Sequence, residues 1–130
     1  MSKRVRQRAA VGGLGKDLTR RSRGRCELCA SRDDVRAYEL APFPEEPVLD
    51  RALHACARCR RWLEGDEIAP LEARFLGEAI WSDVPPVRLA AARLLLRCDF
   101  DDDPWLRDAL DAADVDPATG EYRAPAPEEG

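Results

Sequence analysis

The chain of 130 residues carries a net charge of −4, and 45% of its residues are hydrophobic. A core of this size can be stable alone but cannot readily be divided, so the length predicts one domain. Aromatic residues make up only 6% and charged residues 35%, so the core is expected to be small, and a structural metal would stabilise it. No apolar run could span a bilayer, and the first residues lack the apolar stretch of a secretory signal. We therefore expect a cytoplasmic protein without a membrane partner.

Charge is distributed unevenly along the chain. Residues 1–25 hold nine Lys or Arg and one acid, whereas residues 99–130 hold two Arg and eleven acids. A basic arm of this kind suggests contact with nucleic acid or with an acidic protein surface. Two other interpretations stay open, namely a solvated tail and pairing of the arm with the acidic end of the same chain.

Two cysteine pairs with C-x2-C spacing organise the sequence. Cys26 and Cys29 form the first pair, and Cys56 and Cys59 form the second after 26 intervening residues. In a reducing compartment such pairs are more often metal ligands than disulfides, and Zn2+ is the usual occupant of a four-thiolate site. Because protein fills all four positions, we expect one structural Zn2+ with no open site for water. A redox switch whose thiolates release zinc on oxidation is an alternative.

Short elements are predicted around these cysteines. Residues 1–15 are polar, basic and punctuated by glycine, which predicts a disordered arm. We expect a helix over 17–23 with Gly24 as its C-cap, a strand over 35–40 and a returning strand over 53–55. The second cysteine pair then opens a helix that runs to Gly65. This order of knuckle, hairpin and helix predicts a small treble-clef or zinc-ribbon-like module over 24–65.

A helical part is predicted over 69–114. Its three helices cover 71–81, 85–97 and 104–113, and Asp103 is the expected N-cap of the last. The inward-facing residues are expected to be Leu71, Phe75 and Ala79 in the first helix, Val87, Ala90, Ala91, Leu94, Leu95 and Cys98 in the second, and Leu106, Ala109, Leu110 and Ala113 in the third. The expected fold class is α+β, with a single zinc-stabilised domain over 16–116 and an acidic, proline-rich tail over 117–130.

Four segments resemble one known family. Arg-Cys-Glu-Leu-Cys at 25–29, Tyr-Glu-Leu-Ala-Pro at 38–42, the second C-x2-C and Ile-Trp-Ser-Asp-Val-Pro-Pro-Val at 80–87 are similar to the PhnA family of alkylphosphonate utilisation operon proteins. The resemblance covers roughly residues 18–118. It implies a zinc-ribbon-like domain in a small bacterial cytosolic protein and carries no established catalytic activity. The basic arm is not part of the family pattern.

The favoured function is a non-catalytic module that binds a macromolecule through basic residues. The candidate contacts are Lys3, Arg4, Arg6, Arg8, Arg20, Arg21, Arg23, Arg58, Arg60 and Arg61. Trp62, Trp81 and Trp105 could stack on nucleobases. Each lies near a predicted helix boundary, however, so we expect these rings to close the core instead.

An enzyme is the alternative to a binding module. HNH-type nucleases built on a treble clef carry their general-base histidine on the first hairpin strand, where this chain has Tyr38, Glu39 and Leu40. His54, the only histidine, lies instead in the predicted returning strand. General acid–base chemistry needs a positioned group that is missing here. We expect His54 to pack against the hairpin or to lie on the surface, and we assign no catalytic residue; a phosphonate-related activity is the other enzymatic alternative.

Overall fold

A computed structural model describes residues 14–98 and 104–123. Most of the basic arm, with Lys3, Arg4, Arg6 and Arg8, lies outside the described residues, as do the predicted N-cap Asp103 and the last seven residues. The predictions that fall on these segments are therefore not tested by the structure.

The first half of the chain forms a hairpin flanked by two helices. Helix α1 spans Gly15–Ser22, strand β1 Arg36–Glu39, strand β2 Ala52–Ala55 and helix α2 Ala57–Leu63. A 3-10 turn over Leu49–Arg51 leads into β2. The strands pair antiparallel, with Ala37 opposite His54 and Tyr38 opposite Leu53. The predicted hairpin is confirmed. Helix α1 begins two residues earlier than expected and ends at Ser22, and its C-cap is Arg23 in a left-handed conformation rather than the predicted Gly24.

The second half is mainly helical. A 3-10 turn over Pro70–Ala73 precedes helix α3 over Leu76–Ala79, helix α4 over Pro85–Arg97 and helix α5 over Pro104–Ala113. Strands β3 (Val115–Asp116) and β4 (Glu121–Tyr122) then form a second antiparallel hairpin. The α+β fold class is thus confirmed. Among the described residues, no helix has both the length and the apolar character needed to cross a membrane.

Helix α4 is the centre of the core. It packs against α2, α3, α5, β2 and β4, so nearly its whole circumference is covered. The predicted inner face of Val87, Ala90, Ala91, Leu94 and Leu95 is buried, as expected. Pro86, Leu89 and Ala92 are buried as well. A single apolar stripe was therefore too narrow a prediction, because a helix with several neighbouring elements buries more than one face.

The predicted helix over 71–81 is wrong in length and in one of its inner residues. A 3-10 turn and a single α-helical turn replace it. Leu71 is 83% exposed, although Ala79 is buried as expected. The 3-10 turn rotates the chain by more per residue than an α-helix does, so the α-helical spacing that placed Leu71 inward does not apply.

The tryptophans divide between core and surface. Trp62 is buried, and its ring stacks on Phe75 with a centroid distance of 5.9 Å. Trp81 is 55% exposed and Trp105 is 38% exposed. The prediction of a packing role is confirmed for Trp62 and wrong for the two exposed rings.

Cys98 lies half-buried just past the end of α4, where burial raises the pKa of its thiol.

The C-terminal hairpin corrects the prediction that the tail begins at residue 117, because Glu121–Tyr122 form a strand. Asp116 accepts the backbone N–H of Gly120 at 2.8 Å, which closes the turn between β3 and β4. Glu121 then bridges two arginines, with Nη2 of Arg51 and Nη2 of Arg93 each 2.9 Å from its Oε2. The hairpin is thereby tied both to the first half of the chain and to α4.

We expect Glu121→Gln to destabilise the fold by about 1 kcal/mol at pH 7, because partly exposed ion pairs contribute little more. Partial burial acts to raise the pKa of Glu121, but hydrogen bonds and charges of Arg51 and Arg93 outweigh it, and the pKa is lowered in the fold. Its stabilising contribution is therefore present above the unfolded pKa, near 4.5, and is lost as the pH falls through the lower folded value.

Urea unfolding of wild type and Glu121→Gln at pH 7 and at pH 4 measures this contribution. The difference between the two proteins should shrink at pH 4, because below about 4.5 the unfolded wild-type chain takes up a proton at Glu121 and is stabilised relative to the fold. Glu45→Gln, an exposed matched control, should show no difference at either pH. A gap between wild type and Glu121→Gln that stays constant with pH would contradict the assignment.

Candidate metal centre

The four cysteines of the two pairs converge in space, and we call them the cysteine cluster. Their sulfur atoms all lie within 4.8 Å of one another. The Cys29 and Cys56 sulfurs are 3.7 Å apart, and those of Cys29 and Cys59 are 3.9 Å apart. A disulfide requires about 2.05 Å, so these are free thiols. The cluster is in range to hold one metal ion.

The first pair lies in a tight loop before β1. Cys26 donates its backbone N–H to Ser31 O, and its own carbonyl accepts from Ala30 N, both at 2.8 Å. Ala30 adopts a left-handed conformation, with φ of 68°. These bonds fold the chain back on itself over six residues. The sulfur atoms of Cys26 and Cys29 are consequently held within 4.8 Å of each other.

The second pair opens α2, as the sequence predicts. Cys56 is the N-cap, and its carbonyl accepts the N–H of Arg60 at 2.9 Å. Cys59 lies in the first turn and is fully buried. The loop of the first pair is joined to this helix because Ala57 donates its N–H to Asp33 O. The helix start also contributes partial positive charge, which favours thiolates nearby.

In the absence of a cation, ionisation of one thiol of the cluster opposes ionisation of the others. A hydrogen bond from Cys59 lowers the pKa of Cys26 to about 5, despite burial. The same hydrogen bond and burial raise the pKa of Cys59, and burial raises that of Cys29. One thiolate therefore forms readily and opposes ionisation of its neighbours. A bound cation is what allows four thiolates to coexist at this spacing.

Arg58 supplies one positive charge beside the cluster. Its guanidinium lies 5.0 Å from the Trp62 ring centroid and 5.1 Å from that of Phe75. Burial acts to lower the pKa of Arg58, but the thiolates of Cys29 and Cys59 attract its charge, and the pKa is raised. Its Nε is buried and has no oxygen or nitrogen partner among the described residues. The donor set thus fits an anionic metal–thiolate cluster, whose sulfur atoms would accept this N–H.

Glu27, between the first two cysteines, holds three elements together. Its carboxylate accepts from Arg21 Nε and Nη2 of α1 at 2.8 and 2.9 Å, and from the backbone N–H of His54 in β2 at 2.9 Å. Arg21 Nη2 also donates to Ala52 O at 2.7 Å. We call Arg21, Glu27 and the His54 backbone the Glu27 latch. This set of contacts was not predicted from the sequence. The one signal that could have indicated it is the position of a glutamate between the two cysteines of the first pair.

His54, in strand β2, is buried against the end of α1 rather than lying on the surface. It is 9% exposed, and its Nδ1 lies 2.7 Å from the Ser22 hydroxyl at the end of α1. Burial lowers the pKa of His54, so the imidazole is held neutral. Within residues 14–98 and 104–123, the cysteine cluster is the one group of His, Cys, Asp and Glu side chains arranged to hold a metal ion. A nuclease metal site around His54 therefore has no support in the described residues.

The predicted basic contacts fall into three groups. Lys3, Arg4, Arg6 and Arg8 lie outside the described residues. Arg21, Arg58 and Arg60 are engaged internally, Arg60 through Asp34 and the carbonyl of Ala55. Arg20, Arg23 and Arg61 are exposed. The exposed surface near the cluster also carries two arginines that the sequence reasoning did not select, Arg25 and Arg32.

Comparisons with protein-family models, with curated proteins and with solved structures find no significant match to this chain.

Proposed function

We propose that the protein is a zinc-stabilised, non-catalytic module that binds nucleic acid. The metal assignment rests on the sulfur geometry and on the ligand type. Zinc bound by thiolates at about 2.3 Å in a tetrahedron sets neighbouring sulfurs about 3.8 Å apart. Separations of 3.7 and 3.9 Å match that edge. Four soft thiolates favour Zn2+ over cations that prefer oxygen ligands.

A structural role for the ion follows from its coordination. Four cysteines would occupy all four positions, so no site is left for a water molecule or a substrate. The ligands come from a loop before β1 and from the start of α2, and a single ion would cross-link them. The resemblance to PhnA proteins stays a prediction; it would be compatible with such a module.

Exposed arginines in and next to α1, and close in sequence to the cysteine pairs, support a polyanionic partner. Arg20, Arg23, Arg25, Arg32 and Arg61 are exposed. None of these five forms an ion pair with another described residue, whereas Arg21, Arg58 and Arg60 are held in internal contacts. Their guanidinium groups are therefore available to bind an external anion. This set of arginines is the observation that carries the proposal, since guanidinium groups bind phosphate as paired donors.

Salt-dependent binding tests the proposal. Fluorescence anisotropy with a labelled single-stranded oligonucleotide and with a duplex, at several salt concentrations, should give a linear fall of log affinity with log salt. The triple variant Arg25→Ser/Arg32→Ser/Arg61→Ser should weaken binding and reduce the slope by roughly one per lost phosphate contact.

Arg123→Ser is the control, because it removes the same type of charge from the C-terminal hairpin, where Arg123 pairs with Asp111. Its affinity and its salt dependence should be close to those of wild type, apart from the small effect of removing one positive charge from the chain. If Arg123→Ser loses as much affinity per charge removed as the triple variant does, the effect is one of non-specific charge. Absence of binding at low salt would reject the nucleic-acid partner.

A further inference from the structure

The four members of the cysteine cluster differ in their exposure to solvent. Cys29 is partly exposed. Cys26 and Cys56 are each 2% exposed, and Cys59 is fully buried. The chain after Cys29 continues into the exposed Ala30, so this end of the loop faces solvent. A small dissolved reagent can therefore contact the Cys29 side chain more readily than the other three.

Metal binding would keep this exposed sulfur reactive. A cysteine that binds zinc does so as a thiolate, and the thiolate rather than the thiol is the nucleophile. Cys98 offers a contrast outside the cluster, because burial raises the pKa of its thiol and it stays protonated at neutral pH. A peroxide is therefore expected to react at Cys29 in preference to Cys98.

A second sulfur lies close enough to Cys29 to complete a disulfide. The Cys56 sulfur is 3.7 Å from that of Cys29, and the Cys59 sulfur is 3.9 Å from it. Because a disulfide bond measures about 2.05 Å, a small shift of Cys29 or Cys56 is enough to close it. Cys59 is nearly as close, but it is fully buried and hydrogen-bonded to Cys26. These contacts favour Cys56 as the partner.

We infer that Cys29 is the site at which a peroxide oxidises the zinc-loaded cysteine cluster, and that Cys56 then forms a disulfide with it and the zinc ion is released. This inference rests on the zinc assignment in the proposed function and does not depend on the nucleic-acid partner. The disulfide joins the loop before β1 to the start of α2, which are the two segments that the ion also joins.

The oxidation proceeds in two steps with hydrogen peroxide as the oxidant. The Cys29 thiolate attacks one peroxide oxygen, the O–O bond breaks, and a sulfenic acid and a hydroxide ion form. The Cys56 thiolate then attacks the Cys29 sulfur, the S–S bond forms, and the sulfenic oxygen leaves as a second hydroxide ion. Two thiolates lose two electrons, and one peroxide molecule gains them. Only Cys26 and Cys59 are left as thiolate ligands, so zinc affinity falls.

Peroxide titration of the zinc-loaded protein tests the inference. Native mass spectrometry first establishes one zinc ion per chain, and a chromophoric zinc indicator then follows its release. About one equivalent of hydrogen peroxide should release the ion, and reduction with a dithiol in the presence of zinc should restore it. Peptide mapping should find the Cys29–Cys56 disulfide. Trypsin cuts between Cys56 and Cys59, and a glutamate-specific protease cuts between Cys26 and Cys29, so each linkage gives its own peptides.

Matched histidine variants isolate the role of Cys29. Histidine can replace cysteine as a zinc ligand but cannot form a disulfide. Cys29→His should release zinc at least about tenfold more slowly than wild type. Cys26→His makes the same exchange at the buried ligand of the same loop and should release zinc faster than Cys29→His. Zinc content of both variants is measured before peroxide is added.

Alkylation of the wild type gives a result even if Cys29→His fails to hold zinc. Limiting N-ethylmaleimide added to the zinc-loaded protein should modify Cys29 first among the five cysteines. First labelling at Cys98, a first disulfide within either C-x2-C pair, or equal zinc release from the two histidine variants would overturn the inference. Absence of zinc from the untreated protein would reject the zinc assignment itself, whereas a zinc-loaded protein that keeps its ion in excess peroxide would reject this inference alone.

Discussion

Chelation of the metal is expected to unfold the chain. Two segments of the domain, the loop of Cys26 and the start of α2 at Cys56, meet at the cysteine cluster. Without a bound cation, ionisation of one thiol in the cluster opposes ionisation of the others. Metal binding to sites of this type contributes on the order of 10 kcal/mol of folding free energy. A small domain is stable by only about 5–15 kcal/mol, so loss of the ion removes most of its stability.

Native mass spectrometry and thermal unfolding by circular dichroism, with and without chelator, measure this effect. Wild type should carry one zinc ion and lose its cooperative transition when the ion is removed. Cys56→Ser should bind no zinc stoichiometrically and should lack the transition. Cys98→Ser is the matched control, because Cys98 is the fifth cysteine and lies outside the cluster; it should behave as wild type. A metal-free protein with an unchanged melt would refute the structural role.

The sequence was sufficient to predict that the four cysteines come together in range of one metal ion, since C-x2-C pairs act through local geometry. Each pair needs only one turn of chain to bring its sulfurs together, and the N-cap position of Cys56 follows from the helix that it opens. The hairpin was predictable for a similar reason, because alternation of apolar residues and the return before Cys56 are short-range signals. The α+β class followed from these elements and from the helical periodicity of 85–97.

Other features were not predictable because they depend on partners distant in sequence. Strands β3 and β4 have two residues each, too few for a periodic pattern, and Glu121 is held by arginines 70 and 28 residues away. Exposure of Trp81 depends on where α3 ends. Arg21 donates hydrogen bonds to Glu27 and Ala52 within the fold. The distribution of charge along the sequence does not reveal these partners, so Arg21 was predicted to contact a ligand.

Glu27→Ala is expected to destabilise the fold by about 3 kcal/mol, because removal of one partner leaves the other buried charge and donor unpaired. The Glu27 side chain is 6% exposed and that of Arg21 is 23% exposed. Without the carboxylate, Arg21 keeps only carbonyl partners, and the backbone N–H of His54 loses its acceptor. Helix α1 would then detach from the hairpin more easily, since Leu18 of α1 packs in a small satellite cluster with Ala52.

Urea unfolding of the zinc-loaded proteins measures the loss, and Glu46→Ala, an exposed substitution of the same type, should change stability by less than about 0.5 kcal/mol. Zinc content must be measured in parallel, because Glu27 is adjacent to Cys26. Retention of one zinc ion together with lower stability would assign the effect to the Glu27 latch. The double variant Arg21→Leu/Glu27→Leu should recover part of the loss, since it leaves no buried charge unpaired. If the double variant is less stable than Glu27→Ala, the Glu27 latch stabilises the domain through other contacts in addition to its charge pairing.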